Sequence, residues 1–146
     1  MLRFEGDRDF PQPQSELWAK LSDPRFLVTC IPDVQTVKTV DAEHAELVLR
    51  PGLSFVRGTL DVTLKVAEVD PPKSARMLVV GKGIGSSSTV EASLTLSPEG
   101  TGTRVHWAAA ITELGGLLKM VPSGLIRGSA EKVLSDVWSA VVSKLS

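Results

Sequence analysis

One long amphipathic helix, at the very end of the chain, constrains this sequence more than any other feature. From Ser123 to Leu145, the residues Ile126, Ala130, Val133, Leu134, Val137, Val141 and Leu145 recur at steps of three and four and form one apolar stripe. Ser129, Glu131, Lys132, Ser135, Asp136, Ser139 and Lys144 fall mostly on the other side. Almost everything before this helix alternates with the two-residue period of a strand. The helix must therefore bury its stripe against one curved antiparallel sheet. A cylinder and a twisted surface match poorly, so a pocket between them is the expected binding site.

Leu2 to Phe10 alternates as a half-exposed first strand, which Pro11-Gln12-Pro13 stops. A short helix from Pro13 through Ser22 turns Leu17, Trp18 and Leu21 inward. Asp23-Pro24 joins an N-cap to a proline at the first helical position, opening a second short helix to Cys30 with Phe26, Leu27 and Cys30 inward. Ile31-Pro32-Asp33 ends it. Val34–Val40 and His44–Arg50 form a hairpin around Asp41-Ala42-Glu43, and Phe55–Val69 follows as a long strand. After the Asp70-Pro71-Pro72-Lys73 turn come Ala75–Gly83, Thr89–Ser97 and, past Pro98-Glu99-Gly100-Thr101-Gly102, Thr103–Thr112. Leu114 to Pro122 is apolar but rich in breakers. It is expected either to begin the last helix early with a kink at Pro122 or to form an apolar flap at the mouth of the helix–sheet layer.

Length and charge set limits. The 146 residues fit one domain, 1–146, able to bury roughly two thirds of its unfolded surface. Sixteen basic and seventeen acidic residues give a net charge of -1 with no charge block, and there is no Tyr, so neither an electrostatic footprint nor a stacking platform for nucleic acid is present. The single cysteine, Cys30, excludes an internal disulfide framework and reads as a small buried hydrophobe. The N-terminus lacks a signal-peptide core, and no stretch reaches the roughly 20 apolar residues of a membrane span. The expected compartment is the cytoplasm, with a peripheral contact at the inner face of the membrane through Leu114–Val121.

No motif carries catalytic chemistry. Gly81-Lys82-Gly83-Ile84-Gly85-Ser86 looks like a phosphate loop, but a phosphate cradle needs a helix directly after it, and Thr89 to Leu94 alternates as a strand. These glycines are expected to mark a strand bend or bulge. His44 and His106 lack a metal-motif partner at ligand spacing, and His106 shares the outward parity of Arg104. There is no Gly-x-Ser-x-Gly elbow. Arg57 and Glu113, at strand ends, are the best ionisable candidates, or else solvated rim charges. No metal and no cofactor is expected. The inward parity is nearly all apolar, and the predicted cavity is built from it. The strands contribute Phe55, Leu60, Val62, Met77, Val79, Val90, Ala92, Leu94, Val105, Trp107 and Ala109. Phe26 and Met120 come from the short elements, and Ile126, Ala130, Val133 and Val137 from the last helix. Trp138 lies beside the stripe and is expected to pack against the two short helices.

The order strand, two short helices, six-strand meander and long C-terminal helix resembles helix-grip proteins, the START-like superfamily that includes plant allergens and polyketide cyclases. Within it the chain is similar to the CoxG family of carbon monoxide dehydrogenase through Phe4-Glu5-Gly6, Leu17-Trp18, Asp23-Pro24 and Cys30-Ile31-Pro32. The likeness continues through Pro51-Gly52-Leu53-Ser54-Phe55, Gly81-Lys82-Gly83, Gly102-Thr103 with Val105 and Trp107, and Gly115-Gly116. Asp33 stands where the family usually has a glycine. Many members continue into a tail with a membrane-associating segment, whereas this sequence stops at Ser146, a departure from the pattern that bears on direct anchoring.

The resemblance implies an α+β helix-grip fold and an accessory protein of a molybdenum hydroxylase, aiding assembly, membrane recruitment or electron transfer to quinone. Together with the apolar inward face, the expectation is a non-catalytic module binding a lipid or isoprenoid quinone. The alternatives are an interaction or assembly factor whose layer is fully packed, and a polyketide cyclase- or dehydratase-like enzyme.

Overall fold

A computed structural model of the chain describes residues 2–50, 58–83 and 85–145. Its elements are β1 (Leu2–Phe10), α1 (Gln14–Leu21), α2 (Pro24–Leu27), β2 (Val34–Val40), β3 (His44–Leu49), β4 (Leu60–Asp70), β5 (Ser74–Gly83), β6 (Ser86–Glu99), β7 (Gly102–Gly116) and α3 (Ser123–Leu145). The seven strands form one antiparallel sheet in the order β1-β7-β6-β5-β4-β3-β2. The first strand therefore pairs with the last, from Leu2 opposite Ile111 to Phe10 opposite Thr103.

The core follows from the two-residue alternation. Val62 and Leu64 on β4, Met77 on β5, Leu94 and Leu96 on β6 and Val105 on β7 are buried on one face, where Trp138 and Val141 of α3 meet them. Leu17, Leu21 and Cys30 of the short-helix segment close the same cluster. Trp18 donates its indole N–H to the Ser74 carbonyl at 3.0 Å, pinning α1 to β5. Gln12 donates its side-chain amide to the Leu145 carbonyl at 2.6 Å, tying the end of α3 to the loop after β1.

The start of α2 is legible residue by residue. Asp23 accepts a hydrogen bond from the backbone N–H of Arg25 at 2.9 Å, and Pro24 occupies the first turn. The Arg25 guanidinium also holds this carboxylate and keeps it below the usual carboxylate range, with the Arg25 backbone N–H adding to the effect. Asp23→Ala should cost about 1 kcal/mol, the ordinary worth of an N-cap. A depressed native value means this stability is complete above the unfolded carboxyl value of about 3.9 and is lost as pH falls through the native one. Urea titrations at pH 7 and at successively lower pH should show wild type and Asp23→Ala converging only in acid. A pH-independent gap would remove the carboxylate from the cap.

Asp33 adopts a φ of 63°, the left-handed region that favours glycine, and its carbonyl accepts from the Arg50 N–H at 3.0 Å. Aspartate is among the few L-residues that visit this region readily, so the turn is kept.

Four expectations need correction. Trp138 lies within the buried stripe rather than beside it: it is 7% exposed, its ring sits tilted 6.0 Å from Trp107 and 6.1 Å from Phe10, and it shares the buried cluster with Leu17, Leu21 and Cys30 of the short-helix segment. The buried stripe of α3 accordingly runs Ile126, Ala130, Leu134, Trp138, Val141, Leu145, and Val133, about 140° from Trp138 around the helix, is 38% exposed. Leu114–Pro122 neither begins the helix early nor forms a free flap. Strand β7 continues to Gly116 because glycines there pair with the small residues Ser87 and Ser86, and a 3₁₀ turn, Leu117–Met120, leads to Pro122, whose carbonyl accepts from Ile126 at the start of α3. Finally, the glycines of 81–86 serve a β5–β6 hairpin with Gly83 paired to Ser86, rather than a bulge.

Candidate functional site

The site is a groove between the edge strand β1 and the helix α3, about 410 Å³ in volume and open to solvent along one side. Its walls are Phe4 and Arg8 of β1, Trp107 of β7, and Leu134 and Trp138 of α3, with Arg3, Glu5, Arg127, Glu131 and Ser135 around the rim. A volume of this size is near the lower end of the range for small-molecule sites.

Gly6 makes room for one of these walls, the Trp107 indole. A Cβ at Gly6 would stand 3.1 Å from the indole of Trp107, so this ring lies flush over the backbone of β1 and reaches Trp138. Two guanidinium groups lie on aromatic faces of the same groove: Arg8 over Trp138 at 5.6 Å and Arg127 over Phe4 at 5.1 Å. On the outer face of the sheet, Arg104 bonds Asp9 at 2.9 Å and His106 lies 3.0 Å from Asp7 and 3.9 Å from Glu5. The Arg104 hydrogen bond holds the Asp9 carboxyl low. Burial pushes the Cys30 thiol up, which keeps it in the unreactive protonated form at neutral pH. Among the described residues no group of three His, Cys, Asp or Glu side chains could hold a metal ion.

Of the described residues predicted to line a cavity, Trp107 alone borders this groove. Val62, Met77, Leu94 and Val105 are buried in the packed core, with Phe26, Leu60, Val79, Ala92 and Val137 partly buried against it. Ala109 and Ile126 are buried, and Val90 and Ala130 half-buried. Met120 is 81% exposed because the 3₁₀ turn points it into solvent. Phe55 and Arg57 lie outside the described residues. Glu113 is exposed, on a strand paired to Thr89. Phe4, Arg8, Leu134 and Trp138 were not anticipated as lining residues. The available signal was that Phe4, Gly6 and Arg8 share one parity on β1. At the start of α3 and in the 3₁₀ turn before it, Leu117 (56%), Met120 and Leu125 (50%) are exposed.

A seven-stranded antiparallel sheet gripping a long C-terminal helix, with two short helices after the first strand, defines a START-like, Bet v 1-like helix-grip protein. A conserved protein from Geobacillus kaustophilus superposes with a TM-score of 0.85 at 24% identity, over 98% of this chain and 94% of that one. Mll3558 from Rhizobium loti gives 0.67 at 17% identity over 97% and 95%, and Ara h 8.0201 gives 0.65 at 13% over 95% and 94%. The family model for the carbon monoxide dehydrogenase protein CoxG matches residues 6–146, and the chain belongs to that family. No curated protein matches it in sequence. Among the described residues no helix is long and apolar enough to cross a membrane.

Proposed function

We propose that this chain is a non-catalytic accessory module of a carbon monoxide dehydrogenase-type molybdenum hydroxylase that binds an apolar small molecule, a lipid or isoprenoid quinone, between its helix and its sheet. The supporting observation is the groove of about 410 Å³ walled by Phe4, Trp107 and Trp138, in which Gly6 lets the Trp107 indole lie against β1. Family membership supports the hydroxylase partner. Native mass spectrometry of the purified protein should retain such a ligand. Added quinone at a hundredfold excess over its dissociation constant should raise the melting temperature by about 5–10 °C. An empty protein whose melting is indifferent to quinone would overturn the reading.

A second role is favoured by one observation, the exposed apolar tip of Leu117, Met120 and Leu125. It offers a contact for hydroxylase subunits, or for a membrane surface to which the protein is peripheral. Leu117→Asp with Leu118→Asp should abolish capture of the hydroxylase subunits without lowering the melting temperature. Undiminished capture would exclude this surface as the contact.

A further inference from the structure

Arg8 occupies an unusual position. It shares the inward parity of Phe4, Gly6 and Phe10 on β1, where an apolar residue is the rule, and it is half-buried over Trp138. Arg127 faces it across the groove from α3, lying over Phe4. Among the described residues neither guanidinium has a carboxylate within 4.0 Å. The two carboxylates of the rim do not supply one. Glu5 points to the outer face and is engaged by Arg3 at 3.7 Å and His106 at 3.9 Å, and Glu131 reaches neither arginine. The groove thus combines aromatic walls with two planar cations whose hydrogen-bonding edges are unclaimed by any acid, and its lining carries three arginines against two glutamates. An arginine fork is shaped to receive a carboxylate or similar oxyanion through paired N–H donors.

We propose that the groove between β1 and α3 binds a free single-chain amphiphile with an anionic head, a long-chain carboxylate being the simplest, with the head held by Arg8 and Arg127 and the chain laid over Phe4, Trp107, Leu134 and Trp138. This inference rests on the reading of the chain as an apolar-ligand binder and specifies the head group.

The test compares dodecanoate with 1-dodecanol, which have equal chain lengths, using the fluorescence of Trp107 and Trp138 and calorimetry. Dodecanoate should bind about tenfold more tightly than the alcohol, as two partly exposed charge-assisted pairs would give. Arg8→Gln with Arg127→Gln should remove that preference, so that acid and alcohol bind the variant equally. Arg127 is exposed on the helix, so Arg127→Gln alone, expected to lose about threefold toward dodecanoate, keeps the test valid if the double variant folds poorly. Equal binding of acid and alcohol, or a preference that survives neutralisation of both arginines, overturns the head-group assignment while leaving the apolar-ligand reading in place. Binding of neither overturns the single-chain amphiphile, and the apolar-ligand reading then stands or falls on the melting shift with quinone. A response to phosphatidylglycerol vesicles without one to dodecanoate would make the occupant a bilayer lipid and overturn the single-chain assignment.

Discussion

Trp138→Ala should destabilise the protein by about 3–5 kcal/mol, the usual cost of deleting a core tryptophan, and lower the melting temperature by roughly 10 °C. The indole joins three parts of the fold. It contacts Phe10 at the end of β1 and Trp107 on β7, and it carries the Arg8 guanidinium on its face. No other buried aromatic of α3 can replace it, and Gln12 holds the helix end to the β1–α1 loop only a few residues away. Near-UV circular dichroism should change as well, because two tilted indoles 6.0 Å apart are separated. Trp138→Phe should lose less than half as much, since a smaller ring still reaches Phe10. A loss below about 1 kcal/mol for the alanine variant would mean that the helix is not anchored here.

Gly116→Ala should be nearly as costly, about 2–4 kcal/mol, for a different reason. Gly116 has φ 61° and ψ -134°, a conformation in effect reserved for glycine, and a Cβ there would collide with the carbonyl oxygen of Gly85. It is the residue at which β7 stops being a strand and the 3₁₀ turn begins, with the Leu117 N–H donating back to the Gly85 carbonyl at 3.0 Å. The variant should therefore free the segment leading into α3, and amide exchange should show residues 117–122 losing protection before β7 does. Gly128, within α3, has open space around its Cβ position, so Gly128→Ala serves as the control that leaves exchange at 117–122 unaltered. Equal behaviour of the two variants would remove the special role of Gly116.

Much of the fold was legible because its determinants are local. Asp23-Pro24 signals a helix start through one side-chain oxygen and one missing N–H, and the structure has both in place. Alternation along β4 to β7 identified the buried face, since each strand has one side in the core. The groove was less legible, because it depends on how distant segments meet. Period counting gives every apolar residue of a helix similar weight, so Trp138 looked peripheral to a stripe of valines, whereas the size of the indole brings it to the centre. Arg8 and Arg127 read as solvent-facing charges in any hydropathy profile, yet cation–π contact places both against the aromatic wall. Nor could sequence show that β7 runs on through Gly115 and Gly116, since two glycines in a row normally end a strand. They extend this one because they pair with serines across a narrow hairpin.

The pairing of β1 with β7 also governs the order in which the protein can assemble. Leu2 must wait for Ile111, so during synthesis the amino-terminal ribbon leaves the ribosome with no neighbour while most of the polypeptide is still to be made. The β2–β6 meander can zip up in sequence, but α3 has to be made before Arg8 and Trp138 can meet. The groove is accordingly completed only after residues 127–138 have been made, and a nascent chain paused before them would present a bare strand to chaperones or to other copies of itself.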